Sequence, residues 1–175
     1  MIRYIRESDA DACVAIYNYY IENSTSTLEV FPLTAEDFEG RIREFSSRFP
    51  YLVYEDNGRV LGYAYLNDFN TRYAYRFSCD LSIYVSPDGR GRGIGEALYR
   101  RLEEIAIACG FHNMVSLVTS TNEGSIAFHK KMGFEREAEL EHIAFKNGTW
   151  IGLTYFRKRI ASGEPRELID YRLLK

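Results

Sequence analysis

Apolar and polar residues change their spacing several times along this chain, and each change marks an element. Residues 2–6 alternate, the period of a half-buried strand. Ser8 or Asp9 stands where a helix cap belongs, and Cys13, Val14, Tyr17, Tyr20 and Ile21 then recur on one helical face. Residues 24–31 are polar and β-branched and read as a loop. Thr34-Ala35-Glu36-Asp37 has the pattern of a capping box with Asp in place of Glu. It opens a second helix striped by Phe38, Ile42, Phe45 and Phe49, a stripe that reads as core packing. Two strands, 51–55 and 60–66, flank Asp56-Asn57-Gly58, a hairpin signal because Asn-Gly tolerates positive φ. Residues 67–73 read as a polar loop.

A longer strand, 77–85, ends at Ser86-Pro87-Asp88-Gly89. A glycine-rich turn then leads into a helix with Ile94, Leu98, Leu102, Ile105 and Cys109 on one side and Gly110 as its stop. Residues 114–119 form a strand, 122–132 a short helix ended by Gly133. Residues 135–145 and 151–158 read as two strands joined through Lys146-Asn147-Gly148. No internal repeat is visible. Residues 1–160 read as one domain, and 161–175, after Ser162-Gly163-Glu164-Pro165, as a tail outside the core. The order predicts a mixed α/β sheet rather than a doubly wound parallel one. Strand 77–85, its helix and strand 114–119 make a right-handed parallel crossover if they share a sheet.

Composition narrows the class. At 175 residues one domain can bury about 70% of its unfolded surface without staples. Tyr is abundant, 14 residues, and fits a Tyr-rich core as well as a pocket or a subunit interface. A net charge of −3 lacks the basic excess of a nucleic-acid binder. Cys13, Cys79 and Cys109 are widely spaced, which argues against a disulfide framework and against a metal site. Residues 1–7 hold no apolar signal core, and no apolar run reaches the ~18 residues of a membrane span. The expectation is a cytoplasmic protein with reduced thiols.

The glycine turn carries the first chemistry. It has no Gly-Lys-Ser/Thr of a P-loop, and Glu96 stands where a dinucleotide-binding turn needs its third glycine. What remains is Arg90-x-x-Gly93-x-Gly95, placed between a strand and a helix. The first N–H groups of a helix are unpaired and lie at the positive end of its dipole. Glycines let a pyrophosphate approach them, and Arg90 and Arg92 add charge. An ordinary helix entry with solvated arginines is the plainer alternative.

Ile83-Tyr84-Val85-Ser86-Pro87 followed by this turn resembles the acetyl-CoA motif of the GNAT superfamily of N-acetyltransferases. Asn122-x-x-Ser125-x-x-Phe128-His129-x-x-x-Gly133-Phe134 resembles its second motif. The phosphinothricin acetyltransferase branch is more similar still, through residues 16–21, Tyr75-Arg76-Phe77 and Gly148-Thr149-Trp150. The resemblance covers residues 2–159. It implies the GNAT fold, with about seven strands, about four helices and a V-shaped split between central strands that holds acetyl-CoA. It implies that the backbone of Ile83, Tyr84 and Val85 pairs with the pantetheine arm. It implies too that the amides of Gly91, Arg92, Gly93, Ile94, Gly95 and Glu96 hold the pyrophosphate and that Asn122 bonds the arm. Asn122 also reads as a plain helix cap, and 83–85 as a plain core strand.

Acetylating an amine requires loss of the ammonium proton, a donor for the oxyanion and a proton for the leaving thiolate. The branch places a Glu on the cofactor strand; here the position is Asp80, one methylene shorter, so a bridging water is favoured over direct abstraction. His129 stands where many GNAT members carry Tyr, and an imidazole serves as acid or base near neutral pH. Both residues also admit structural readings. By the same resemblance Arg76, between Tyr75 and Phe77, grips a substrate carboxylate; a surface arginine is the alternative. The expected reaction is acetylation of a small amino-acid-like amine (phosphinothricin, methionine sulfoximine, related L-amino acids) by a homodimer needing no metal. A polyamine or protein N-terminal acetyltransferase is the rival enzyme, with Glu22, Glu29, Glu36 and Asp37 as possible acids. A non-catalytic acyl-CoA-binding module is the rival from another class.

Overall fold

Residues 1–174 are described in a computed structural model of the chain. Seven strands form one mixed sheet. They are β1 (Ile2–Tyr4), β2 (Tyr51–Asp56), β3 (Arg59–Asp68), β4 (Ser78–Val85), β5 (Asn113–Thr119), β6 (Glu135–Lys146) and β7 (Thr149–Arg159), in the spatial order β1-β2-β3-β4-β5-β7-β6. Four α-helices cover it: α1 (Ala10–Asn23), α2 (Ala35–Ser46), α3 (Ile94–Cys109) and α4 (Glu123–Lys131).

Local chemistry sets these boundaries. Thr34 Oγ1 accepts from Asp37 N, and Asp37 Oδ2 accepts from Thr34 N, so the capping box forms with Asp in the role of Glu. Gly110, at φ 93°, ends α3 in the left-handed conformation that only glycine adopts freely. Asn57-Gly58 and Asn147-Gly148 both turn with two positive φ values, which matches the right-handed twist of the strands they join. Asp9 makes no cap bond at the start of α1; its carboxylate is paired with Arg3 at 2.7 Å.

The sheet separates two cores. On one face α3 packs through Leu98, Leu102 and Ile105 against Leu52, Leu61, Leu66 and Leu81. On the other, α1 and α2 pack through Tyr17, Ile21, Phe38 and Ile42 against Tyr51, Val53 and Tyr63. The segment after β7 departs from the expectation of a tail outside the core. Tyr171 is 8% exposed within the α3-side core, and its hydroxyl donates to Ser46 O at 2.5 Å. Ile169 N donates to Cys109 O at 2.9 Å, and Leu168 lies over Gly110. A segment held by one aromatic anchor and a few apolar residues has no periodicity to announce it.

Candidate active site

The site begins where two neighbouring strands part. β4 and β5 run parallel but pair only at Ser78, Cys79 and Asp80, opposite Asn113, Met114 and Val115. Beyond that point β4 stays bonded to β3 and β5 to β7, so their facing edges diverge. Ser116 Oγ donates to Leu81 O at 3.3 Å at the apex. A cavity of about 800 Å³ fills the wedge, lined by Ser82, Ile83, Tyr84 and Val85 on one side and Ser116, Leu117 and Val118 on the other. Backbone groups inside a sheet require hydrogen-bond partners. An extended ligand with its own amides supplies them as an added strand.

The wedge leads to the N-terminus of α3. A Cβ on Gly89 would meet Leu61 O and Val85 Cγ1 at 3.0 Å, so the turn closes this tightly only around glycine. Gly93 occupies the cap at φ 75° and offers no side chain, which leaves the first amides of α3 without a cap partner. Gly89, Arg90, Gly91, Gly93, Ile94, Gly95 and Glu96 line the cavity. These residues fit a pyrophosphate: bare amides, a helix dipole and one arginine. Arg90 lies over the rings of Tyr19 and Tyr20, at 5.4 and 5.2 Å. Arg92 is not on the cavity wall; its guanidinium is held by Asp56 at 2.7 Å. Glu96 is bonded to Lys131 and Arg100, which hold its carboxyl below the usual range.

Asn122 does two things at once. Its Oδ1 accepts from Ser125 N at 3.1 Å, capping α4, while its Nδ2 donates to Ser26 Oγ at 3.0 Å on the cavity wall. His129, two turns along, is 5% exposed and lies between Phe156, Phe134 and Phe128. Its Nδ1 is 2.8 Å from Ser125 O. A carbonyl only accepts, so Nδ1 carries the proton and Nε2 keeps its lone pair. Nε2 is buried without a hydrogen-bond partner, in a residue that lines the cavity. Burial lowers the imidazole pKa, and the Ser125 bond opposes this in part. His129 is therefore neutral at pH 7, with an acceptor at the wedge.

Asp80 is the last residue of β4 paired to β5, at the apex. Its strand neighbours Cys79 and Leu81 belong to the α3-side core, so its side chain points to the opposite face, beside Tyr65. Oδ1 is buried and has no partner. Burial pushes the carboxyl up to about 7, against the pull of the Leu81 N–H. Asp80 and His129 thus lie on opposite faces of the sheet and make no contact; His129 lines the cavity, and Asp80 sits at the apex without being on its wall. Tyr75, Arg76 and Phe77 lie just before β4, at its closed end, and are not on the cavity wall. Arg76 is stacked between Tyr73 and Phe77, at 4.1 and 4.3 Å.

The acetyltransferase (GNAT) domain family matches residues 2–154. The chain belongs to the GNAT acetyltransferases. It is 34% identical over 163 residues to the L-amino acid N-acyltransferase of Escherichia coli K12, covering 91% of this chain and 93% of that one. It is 32% identical to the L-methionine sulfoximine/L-methionine sulfone acetyltransferase of Salmonella typhimurium, covering 91% and 94%. The phosphinothricin acetyltransferase of Sinorhizobium meliloti, solved with AcCoA, superposes with a TM-score of 0.91 at 32% identity over 95% of this chain and 93% of that one. The GNAT fold, an acetyltransferase activity and acetyl-CoA as cosubstrate stand as expected from the two motifs. In this GNAT chain the cavity also has walls that the motifs did not mark. Tyr20, part of the apolar stripe of α1, donates its hydroxyl to Val85 O at 2.5 Å. Ser26 comes from the α1–α2 loop and Ser116 from β5. A stripe of aromatics signals burial, and nothing in its spacing distinguishes a core ring from one at a cavity.

Proposed function

We propose that the chain transfers the acetyl group of acetyl-CoA to the amine of a small amino-acid-like molecule, of the class formed by L-amino acids, phosphinothricin and methionine sulfoximine. The carrying observation is the wedge itself. It opens beside the bare start of α3, with a neutral His129 on one face and an Asp80 poised near neutrality on the other. The diverging backbone of residues 82–85 and the amides at 91–96 hold the cosubstrate. Inner-edge N–H groups of β4 face the position where the oxyanion forms. Asp80, through a water given its short side chain, takes the first proton from the ammonium. The second proton, released after attack on the carbonyl carbon, passes to His129 Nε2 and from there to the departing thiolate. Arg76 is kept as the group for a substrate carboxylate.

A cytoplasmic homodimer without nucleic-acid or membrane partners belongs to the same reading; among the described residues no helix is long and apolar enough to cross a membrane. Two of the four acids considered for a polyamine are already engaged. Glu29 is bonded to Arg41 at 2.5 Å, and Asp37 is used in the α2 cap. A thiol-release assay tests the reading, with acetyl-CoA and a panel of amino acids, phosphinothricin, methionine sulfoximine, spermidine and short peptides. Release is expected with an amino-acid-like amine and about 100-fold slower with His129→Ala. Release with spermidine alone, or with no amine despite tight acetyl-CoA binding, would overturn it.

A further inference from the structure

Lys146 ends β6 in a strand whose other residues are nearly all exposed, yet Lys146 itself is 3% exposed. Its Nζ donates to Thr27 O at 2.9 Å. An ammonium has three donors and is costly to bury, so a lysine in this place needs a reason. A hairpin anchor alone would be served by an apolar side chain at lower cost. Burial lowers the Lys146 pKa, and Glu29 pulls it back.

The reason lies in what Thr27 belongs to. Residues 24–27 leave α1 and cross to the second half of the chain, where they meet the cavity. Thr25 Oγ1 and Thr121 Oγ1 are 2.6 Å apart, and Asn122 Nδ2 donates to Ser26 Oγ at 3.0 Å. Thr27 Oγ1 lies 2.8 Å from the Tyr17 hydroxyl, and the Tyr17 ring meets Tyr84 of β4 edge-on at 5.0 Å. Thr25 and Ser26 are thus tied to the turn between β5 and α4, and Thr27 to α1 and to the end of β6; the tie made by Lys146 is the one that carries a charge. It reaches from the tip of β6 to a carbonyl one residue from the cavity wall.

We propose that Lys146 is a positioning residue for the acceptor side of the cleft: its ammonium, bonded to the Thr27 carbonyl, seats residues 24–27 across the wedge so that the incoming amine is placed against the acetyl group. This rests on the amine-acetylating reading given above. The pyrophosphate cradle from Gly89 to Glu96 lies on other elements, and the loop meets the cosubstrate side only through Ser26 and Asn122, so cutting the tether disturbs the amine more than the hold on the pyrophosphate.

Lys146→Met keeps length and loses the donor. The expected result is a kcat about tenfold lower and a KM for the amine several-fold higher, with the acetyl-CoA Kd within about twofold of the wild type. Lys146→Arg, which keeps charge and donor, recovers most of kcat. Hydrogen exchange of the Lys146→Met protein is expected to speed up at residues 24–29 and not in α3. Thr25→Ala with Thr121→Ala cuts an exposed tie to the same residues without touching a buried group, and gives the same KM and kcat pattern if Lys146→Met fails to fold. Unchanged kinetics and exchange, or a loss of acetyl-CoA binding in step with kcat that Lys146→Arg does not rescue, would overturn the proposal. If the wild type acetylates no amine, the functional reading fails, and the exchange pattern at 24–29 still decides the tether.

Discussion

The two faces of the sheet are built from different chemistry. The α3 face is mainly aliphatic, with phenylalanines, Tyr99 and Tyr171 among its buried residues: leucines from β2, β3 and β4 meet leucines and Ile105 of α3, and the nearby turn that fits a pyrophosphate is made mostly of backbone. The α1–α2 face is tyrosine: Tyr17, Tyr51 and Tyr63 are buried there, with Tyr20, Tyr65 and Tyr84 packed against them. Backbone amides and a helix dipole recognise a pyrophosphate without side-chain chemistry, so that face can be filled with any well-packed apolar set. Hydroxyls held in an apolar layer are another matter. Tyr63 has a buried hydroxyl without a partner, and Asp80, on the same face, a buried oxygen without one. Such orphaned groups cost about 1–3 kcal/mol each. His129 Nε2 is orphaned in the same way on the α3 side, so each face carries one unpartnered titratable group, and the tyrosine face adds an unpartnered hydroxyl.

Three substitutions break or sharpen this contrast. Asp80→Asn has the largest expected effect, a fall in kcat/KM of at least about 100-fold in the thiol-release assay. In the wild type kcat/KM rises with pH through about 7 as the Asp80 carboxyl ionises, and the variant lacks that rise. Stability moves the other way. The folded state holds the Asp80 proton up to about 7, while the unfolded chain releases it near 3.8. Between those values the folded state binds more protons, so wild-type stability declines as pH rises across that window and is lowest, for this group, above pH 7. Asp80→Asn removes the decline, and melting curves at pH 5 and pH 8 should show the variant gaining on the wild type by several degrees at the higher pH. Equal melting gaps at both values would place the carboxyl in a solvated environment and dissolve the contrast between faces.

Leu102→Ala comes next. Leu102 is fully buried in the aliphatic core, and its loss should cost about 3 kcal/mol in urea unfolding, with the acetyl-CoA Kd changed little. Tyr63→Phe is the smallest and the most diagnostic. It removes a hydroxyl that has no bond, so stability should stay within about 1 kcal/mol of the wild type and rise rather than fall. A loss of 2 kcal/mol or more would mean that the hydroxyl is satisfied and that the tyrosine face is as complete as the leucine one.

The elements were legible because each carries its own local signal. The alternation of residues 2–6, the Asn-Gly pairs, the Thr34–Asp37 box and Gly110 act within a few residues and survive into the fold. The turn at Arg90–Gly95 was legible for the same reason, since a strand, glycines and a helix start are consecutive. The motif sets Arg92 beside the phosphates; its partner Asp56 lies on another strand, and no spacing announces that pair. The segment after residue 160 carries no such local signal, because Tyr171 finds Ser46 only across the folded molecule.

By itself, then, the sequence determined the order and type of the elements and the bare helix start that fits a pyrophosphate. All of these depend on interactions between near neighbours in the chain. The tertiary structure alone decided that β4 and β5 part after Asp80, that Asp80 and His129 stand on opposite faces, and that Ser125 fixes the proton on His129 Nδ1 toward the helix. It alone decided that a lysine at the tip of β6 is buried against a loop 119 residues away. Those outcomes are set by desolvation and by which surfaces close on one another, and neither quantity exists until the chain has folded.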